Sequence, residues 1–257
     1  MDSDAGPRGS GDRFPLTRCS IVAAAGDADP EVRRQAWDVL VASYWRPVYK
    51  VLRVRWGLDR EDAEDATQEF FASALVKGTF ERYDSTKARF RTYLRTCLDG
   101  FAANERKAAR RLKRGGGQLV LSLDFAGAEE ELRRFGAGEE LDVEEYFHRE
   151  WVRSLFGLAV EDLRRWSEAT GRTVHFRLFE RYDLEGSDAS ERPTYAELAA
   201  ETRLPATQVT NFLAAARREF RRLVLERLRE LTGSEREFRD EARLILGVDP
   251  GNPGGAA

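Results

Sequence analysis

Cysteine, histidine and methionine are nearly missing from this chain, at two, two and one residues among 257. Two cysteines, Cys19 and Cys97, cannot build a disulfide framework or the clustered spacing of a zinc site, so a reducing cytoplasm is the expected compartment. His148 and His175 stand alone on helical patterns and read as ordinary surface or packing residues, with no metal site to serve. No phosphate-cradling glycine loop, nucleophile elbow or catalytic triad spacing occurs, which predicts no enzyme, no catalytic residues and no cofactor. No apolar run reaches the length of a membrane span, and the start MDSDAGPRGSGDRFP lacks a basic segment followed by an apolar one. Neither export nor membrane insertion is expected. The formal charge of −3 excludes a uniformly basic nucleic-acid coat protein.

What the chain does have is charge, at 34% of residues against about 25% in an average domain. With 42% hydrophobic residues beside it, the balance predicts helical bundles with wet faces. No strand alternation is sustained enough for a sheet and no internal repeat is evident. The expected class is all-α: two small helical domains joined by an acidic linker. Residues 1–29 read as a disordered tail rich in Gly, Asp, Ser and Pro. Residues 30–114 form the first helical domain, and Pro47 falls inside its first apolar pattern and predicts a break or kink. Gly115-Gly116-Gly117 stops the last helix of that domain, and residues 115–146, including the apolar QLVLSLDF, read as a flexible linker. A second helical domain covers 147–233 and an extension covers 234–257.

The charge is sorted along the chain. In DREDAEDATQEFF (Asp59–Phe71), Ala63, Ala66 and Phe70 share one helical face. At about 100° per residue, Glu61, Asp65 and Gln68 fall opposite Phe70, with Asp62 and Glu69 on the flank. Such a face is ordinarily a solvated one. It lacks the convergent shell of donors a metal needs. From Lys87 to Arg114, ten bases stand against two acids, a net of +8, with Phe90, Tyr93, Leu94, Leu98 and Phe101 on the opposite side. From Asp124 to Glu150 the net is −7, which leaves open a second reading in which the basic helix merely balances the linker, folded back over it in the free chain. Near the C-terminus, Thr194-Tyr195-Ala196-Glu197 is a capping-box pattern opening a short helix to about Thr202. Arg203-Leu204-Pro205 would turn the chain, and Val209, Leu213, Ala216, Phe220 and Leu223 line a longer second helix. Short helix, tight turn and second helix is a shape whose second member lies in a DNA major groove.

These segments together resemble a family. YAELAAETRLPATQVTNFLAAARREFRRL (Tyr195–Leu223) resembles the upstream-box reader of bacterial RNA polymerase sigma factors, DREDAEDATQEFF their clamp-binding segment, and FRTYLRTCLDGFAANERKAARR (Phe90–Arg111) their downstream-box melting helix. Size and two-domain layout resemble the extracytoplasmic-function (ECF) type of the sigma-70 family. The resemblance implies core RNA polymerase and promoter DNA as partners and allows an anti-sigma factor. It implies that Asp62, Asp65, Gln68 and Glu69 contact the polymerase clamp. For the opened strand at the downstream box it implies Arg89, Arg91, Arg95, Asn104, Lys107, Arg110 and Arg111. For the upstream box it implies Gln208, Thr210, Asn211, Arg217 and Arg218, the two arginines on phosphates and Gln208 and Asn211 on base edges. Two other readings stay open: an autonomous helix-turn-helix regulator that binds DNA without polymerase, and a polymerase adaptor of sigma ancestry that reads no promoter. Few bases between Thr207 and Ala216 favour the second of these.

Overall fold

A computed structural model describes residues 20–109, 121–135, 142–185 and 192–250, and all regular structure among them is helical. Gly115–Gly117 and most of the N-terminal segment lie outside the described residues. The ordered chain begins earlier than the expected tail allows. Ser20 caps a four-residue helix, α1 (Ile21–Ala24), and Ile21 and Val22 are buried where α1 lies against α2 and α9. A single apolar turn is too short to show periodicity, so in sequence it merges with the tail before it.

Helix α2 (Pro30–Val54) starts on an Asp29 cap, with Pro30 at the first helical position where its missing N–H costs nothing. It runs without a break through Pro47, contrary to the expected division. A proline inside a helix costs about 3 kcal/mol. Burial outweighs that here: Leu40, Tyr44, Val48, Tyr49, Val51 and Leu52 are wholly enclosed, each worth roughly 1.5–3 kcal/mol. Helix α3 (Arg60–Val76) is capped by Asp59 and packs Ala63, Phe70, Phe71 and Ala74 on α2 and α4. Helix α4 (Phe90–Ala109) begins at Phe90, which sits amid Tyr44, Phe80 and Tyr83 at ring distances of 5.1–5.5 Å.

The acidic segment is a packed element and not a flexible linker. Helix α5 (Phe125–Phe135) inserts Phe125 edge-on against Trp45 and beside Tyr49, at 5.4 and 5.0 Å. Its carboxylates then meet the basic flank of α2: Glu129 accepts from Arg53 and from the Tyr49 hydroxyl, both at 2.6 Å, and Glu131 pairs with Arg46 and with Lys50. The linker therefore folds back on α2 through α5, while its residue Glu144 meets Arg91 and Arg95 at the head of α4. Apolar anchors at Phe125 and Ala128 choose the surface, and the charges follow.

Helix α6 (Val143–Ala169) crosses α2 along its length, burying Tyr146, Phe147, Trp151, Leu155, Ala159 and Leu163. At the crossing Lys50 donates to Glu150 over 2.7 Å, with side chains 2% and 1% exposed. Helix α7 (Thr173–Phe179) runs into a single π turn, and α8 (Tyr195–Thr202) leads to α9 (Ala206–Leu231). Helix α9 is about 39 Å long at 1.5 Å per residue. Its first half shares a small core of Leu178, Leu198, Val209 and Leu213. Its second half, through Leu223, Val224, Leu228 and Leu231, joins the main core that includes α2 and α6. Arg227 ties it to Asp162 of α6 through two bonds of 2.6 and 3.0 Å. Helix α10 (Glu235–Leu246) closes the chain, capped by Ser234. The main core thus draws on both helical halves, where separate bundles were expected, and the α7–α9 head keeps a small core of its own.

Replacing Lys50 by alanine strands Glu150 in the interior, and the loss in urea unfolding free energy should be about 3–5 kcal/mol. Burial would raise the Glu150 carboxyl, but Lys50 and Arg153 outweigh it and hold it below its usual range. Glu129 is likewise held low, chiefly by Arg53. Lowered carboxyls stabilise the fold above the ordinary carboxylate pKa and lose that contribution as protons return, so the unfolding temperature should fall as pH drops below about 4.5.

Candidate functional site

Three charged surfaces carry the candidate residues. On α3, Glu61, Asp62, Asp65 and Glu69 are exposed and Gln68 is half-buried, while the opposite face holds Ala63, Thr67 and Phe70 in the core. Arg60 reaches Glu64 at 2.7 Å, but Glu61, Asp62, Asp65 and Glu69 form no ion pair among the described residues. Glu61 and Asp62 lie in the first turn, where carboxylates favour the helix dipole. Asp65 and Glu69 are beyond its reach and do nothing for the fold. Spaced four residues apart, they form a ridge suited to a basic helix of another molecule.

The arginines at the head of α4 are placed otherwise. Arg91 is 8% exposed, bonded to Glu241 of α10 at 2.9 Å and paired with Glu144 of α6 at 3.3 Å, and it lies over the Trp151 ring. Arg89 also reaches Glu241, at 3.0 Å. Arg95 is held between Asp99 at 2.5 Å and Glu144 at 2.6 Å. Expected as free phosphate contacts, all three are engaged internally, and Arg91 is enclosed. Asn104 is exposed one face further along. The side chain of Lys107, and Arg110 and Arg111 altogether, lie outside the described residues.

At the first turn of α4 the Phe90 N–H donates to Glu237 of α10 at 2.8 Å. The residue before it is Arg89, which has no acceptor for that amide, so the helix takes its cap from a carboxylate remote in sequence. Glu237 also accepts from the Gly233 N–H at 2.8 Å and the Tyr83 hydroxyl at 3.1 Å. Sequence reasoning misses Glu144, Glu237 and Glu241. The one local signal is the four-residue spacing of Glu237 and Glu241, which sets both on one side of α10.

The third surface is the α8–α9 unit. Thr194 and Glu197 form the capping box: the Glu197 N–H donates to the Thr194 hydroxyl at 3.2 Å and the Thr194 N–H to the Glu197 carboxylate at 2.7 Å. Leu198, Val209 and Leu213 fix the two helices against Leu178. The first turns of α9 expose Gln208, Thr210 and Asn211, and the Thr210 hydroxyl donates to the Ala206 carbonyl at 3.1 Å. Arg218 is exposed, whereas Arg217 is drawn into a two-bond pair with Asp183 at 2.8 and 2.9 Å and lies over Tyr182. Arg217 is therefore a brace between α9 and the turn after α7, and Arg218 is the available cation. His175 stacks on Phe212 at 4.1 Å, a packing role. Among the described residues no cluster of His, Cys, Asp or Glu could hold a metal, and no helix is long and apolar enough to cross a membrane.

Residues 40–112 match the family model Sigma-70 region 2, a span running from within α2 to the end of α4. That match makes the span from residue 40 to residue 112 similar to region 2 of sigma-70 factors. Neither a curated protein nor a solved structure matches the chain.

Arg203 takes the left-handed conformation at the end of α8, with φ of 57°. Glycine adopts this without strain, so Arg203→Gly should stabilise the protein by up to about 1 kcal/mol. Thr194→Ala should destabilise it by about 1 kcal/mol. Chemical denaturation of both variants beside the parent checks these opposite signs.

Proposed function

We propose that the chain is a cytoplasmic sigma factor of the ECF type, with α3 docking core RNA polymerase, α4 holding the opened strand and the α8–α9 unit acting as a helix-turn-helix on the upstream box. The observation that carries this reading is the bare carboxylate ridge of α3. Glu131 of α5, Glu150 of α6 and Glu241 of α10 are consumed within the molecule, whereas Asp62, Asp65 and Glu69 are left to solvent inside the span that matches Sigma-70 region 2. Opposed charge on a partner helix would steer association and set its register. On α4, Asn104 is open to a base, and the sequence from Arg106 to Arg114 is rich in the bases that phosphates require. On α9, Gln208 and Asn211 occupy exposed positions in the first two turns, from which a recognition helix contacts base edges, with Arg218 for a phosphate.

A polymerase adaptor that reads no promoter is the second reading. It is favoured by one feature: the early turns of α9 expose no lysine or arginine before Arg217, and Arg217 is paired to Asp183.

Changing Asp65 and Glu69 together to lysine should abolish capture of core RNA polymerase while leaving the unfolding free energy within about 0.5 kcal/mol of the parent. Capture that survives the reversal defeats the docking role. In run-off transcription with core polymerase, Asn211→Ala should lower output from a responsive promoter by about tenfold, in line with roughly 1–3 kcal/mol for a base-edge contact. An adaptor would bind core, give no run-off product and be indifferent to Asn211→Ala.

A further inference from the structure

Helix α10 lies outside the span that matches Sigma-70 region 2, and its two most buried acids both serve the head of α4. Glu237 and Glu241 are one turn apart on the same face, 7% and 1% exposed. Carboxylates are rarely enclosed to that degree, because losing water costs several kcal/mol per ion unless close partners replace it. The partners here are specific. Glu237 sits on the first amide of α4, and Glu241 lies between the Arg89 and Arg91 guanidiniums at 3.0 and 2.9 Å. An anion at a helix start, flanked by two arginines, is the arrangement by which a protein grips a phosphate. Helix α10 fills that arrangement with its own carboxylates.

We infer that α10 is a built-in occluder, standing in for nucleic-acid phosphates at the head of α4 and keeping Arg89 and Arg91 from DNA until it is displaced. The inference rests on the reading of α4 as the strand-holding helix. Glu144 of α6 reinforces the closed arrangement from the other side, through Arg91 and Arg95. Displacement of α10 would cost α4 its cap and Arg89 its partner, and phosphates of the opened strand offer replacements for both. Closed and open forms then exchange one set of anions for another, so a partner that favours the open form by a modest margin would switch the surface on.

Two measurements on the full chain test this. In the first, binding of a fluorescent single-stranded DNA oligonucleotide is followed at low salt for the parent, for Glu241→Lys and for Asp240→Lys. Asp240 neighbours Glu241 on α10 but, among the described residues, pairs only with Arg236 and Arg243 of its own helix, so its replacement by lysine carries the same change in net charge away from the α4 contacts. Glu241→Lys should tighten binding about tenfold and steepen the slope of log affinity against log salt by about 1.4, at about 0.7 for each of two phosphates gained. Asp240→Lys should shift affinity less than about twofold, since its change of two charges is distant from α4 and screened. Equal gains for both variants, or none for Glu241→Lys, overturn the occluder. The second measurement is amide hydrogen exchange of the parent alone and with core RNA polymerase, and it decides the matter if Glu241→Lys does not fold. Exchange over residues 235–246 and at the Phe90 amide should rise at least tenfold in the complex. A complex that forms with α10 still protected overturns the inference. If no complex forms, the proposed function fails, and the oligonucleotide comparison still decides whether α10 covers α4.

Discussion

Lys50 and Glu150 meet where α2 crosses α6, and the rest of the molecule is arranged around that contact. An ammonium and a carboxylate removed from water attract each other strongly, but only when each is fully satisfied. Glu131 supplies a second carboxylate to Lys50, while Arg149 and Arg153 approach Glu150 from its own helix. Three helices are thereby fixed in one register: α2 provides the lysine, α6 one acid and α5 the other. A slide of one turn between α2 and α6 would part Lys50 from Glu150 and leave Glu150 only the arginines of its own helix. Hydrophobic burial brings these helices together, and the pair determines which of the available packings they adopt.

Charge is divided in this protein between groups that hold the fold and groups that are left over. Bases of α2 are absorbed by α5, those at the head of α4 by α6 and α10, and Arg227 of α9 by Asp162. Against that background the open acids of α3 and the exposed Gln208, Asn211 and Arg218 of α9 stand apart. The distinction separates two positions that look alike in sequence, Arg217 and Arg218. The first braces the helix on Asp183 and the second faces solvent.

Much of the helical layout is legible in the amino-acid sequence. Periodicity of the apolar residues locates the long helices, and the outward face of α3 follows from its spacing alone. The Thr194–Glu197 cap is readable because its chemistry is confined to four residues. What escapes is everything decided at long range. Pro47 reads as a breaker because its local cost is visible and the enclosure of α2 by its neighbours is not. The segment around Phe125 reads as linker because one aromatic ring and one alanine anchor it, too few to mark a pattern. Arg91 reads as a free phosphate contact because its partner, Glu241, is 150 residues away. Composition reveals that opposite charges exist, while only packing determines which of them meet.

Helix α9 enters the small core at one end and the main core at the other, with no joint in its 26 residues. A rod of this kind transmits angle as well as distance. Any rotation of the α8–α9 head about the body has to be taken up where α9 rests on α6, by sliding Leu223, Val224 and Leu228 or by breaking the Arg227–Asp162 clamp. The head therefore behaves as the end of a lever whose fulcrum lies inside the body. A change of pitch at that fulcrum would be magnified along the shaft, so a small movement in the interior becomes a large sweep at the exposed face of the head.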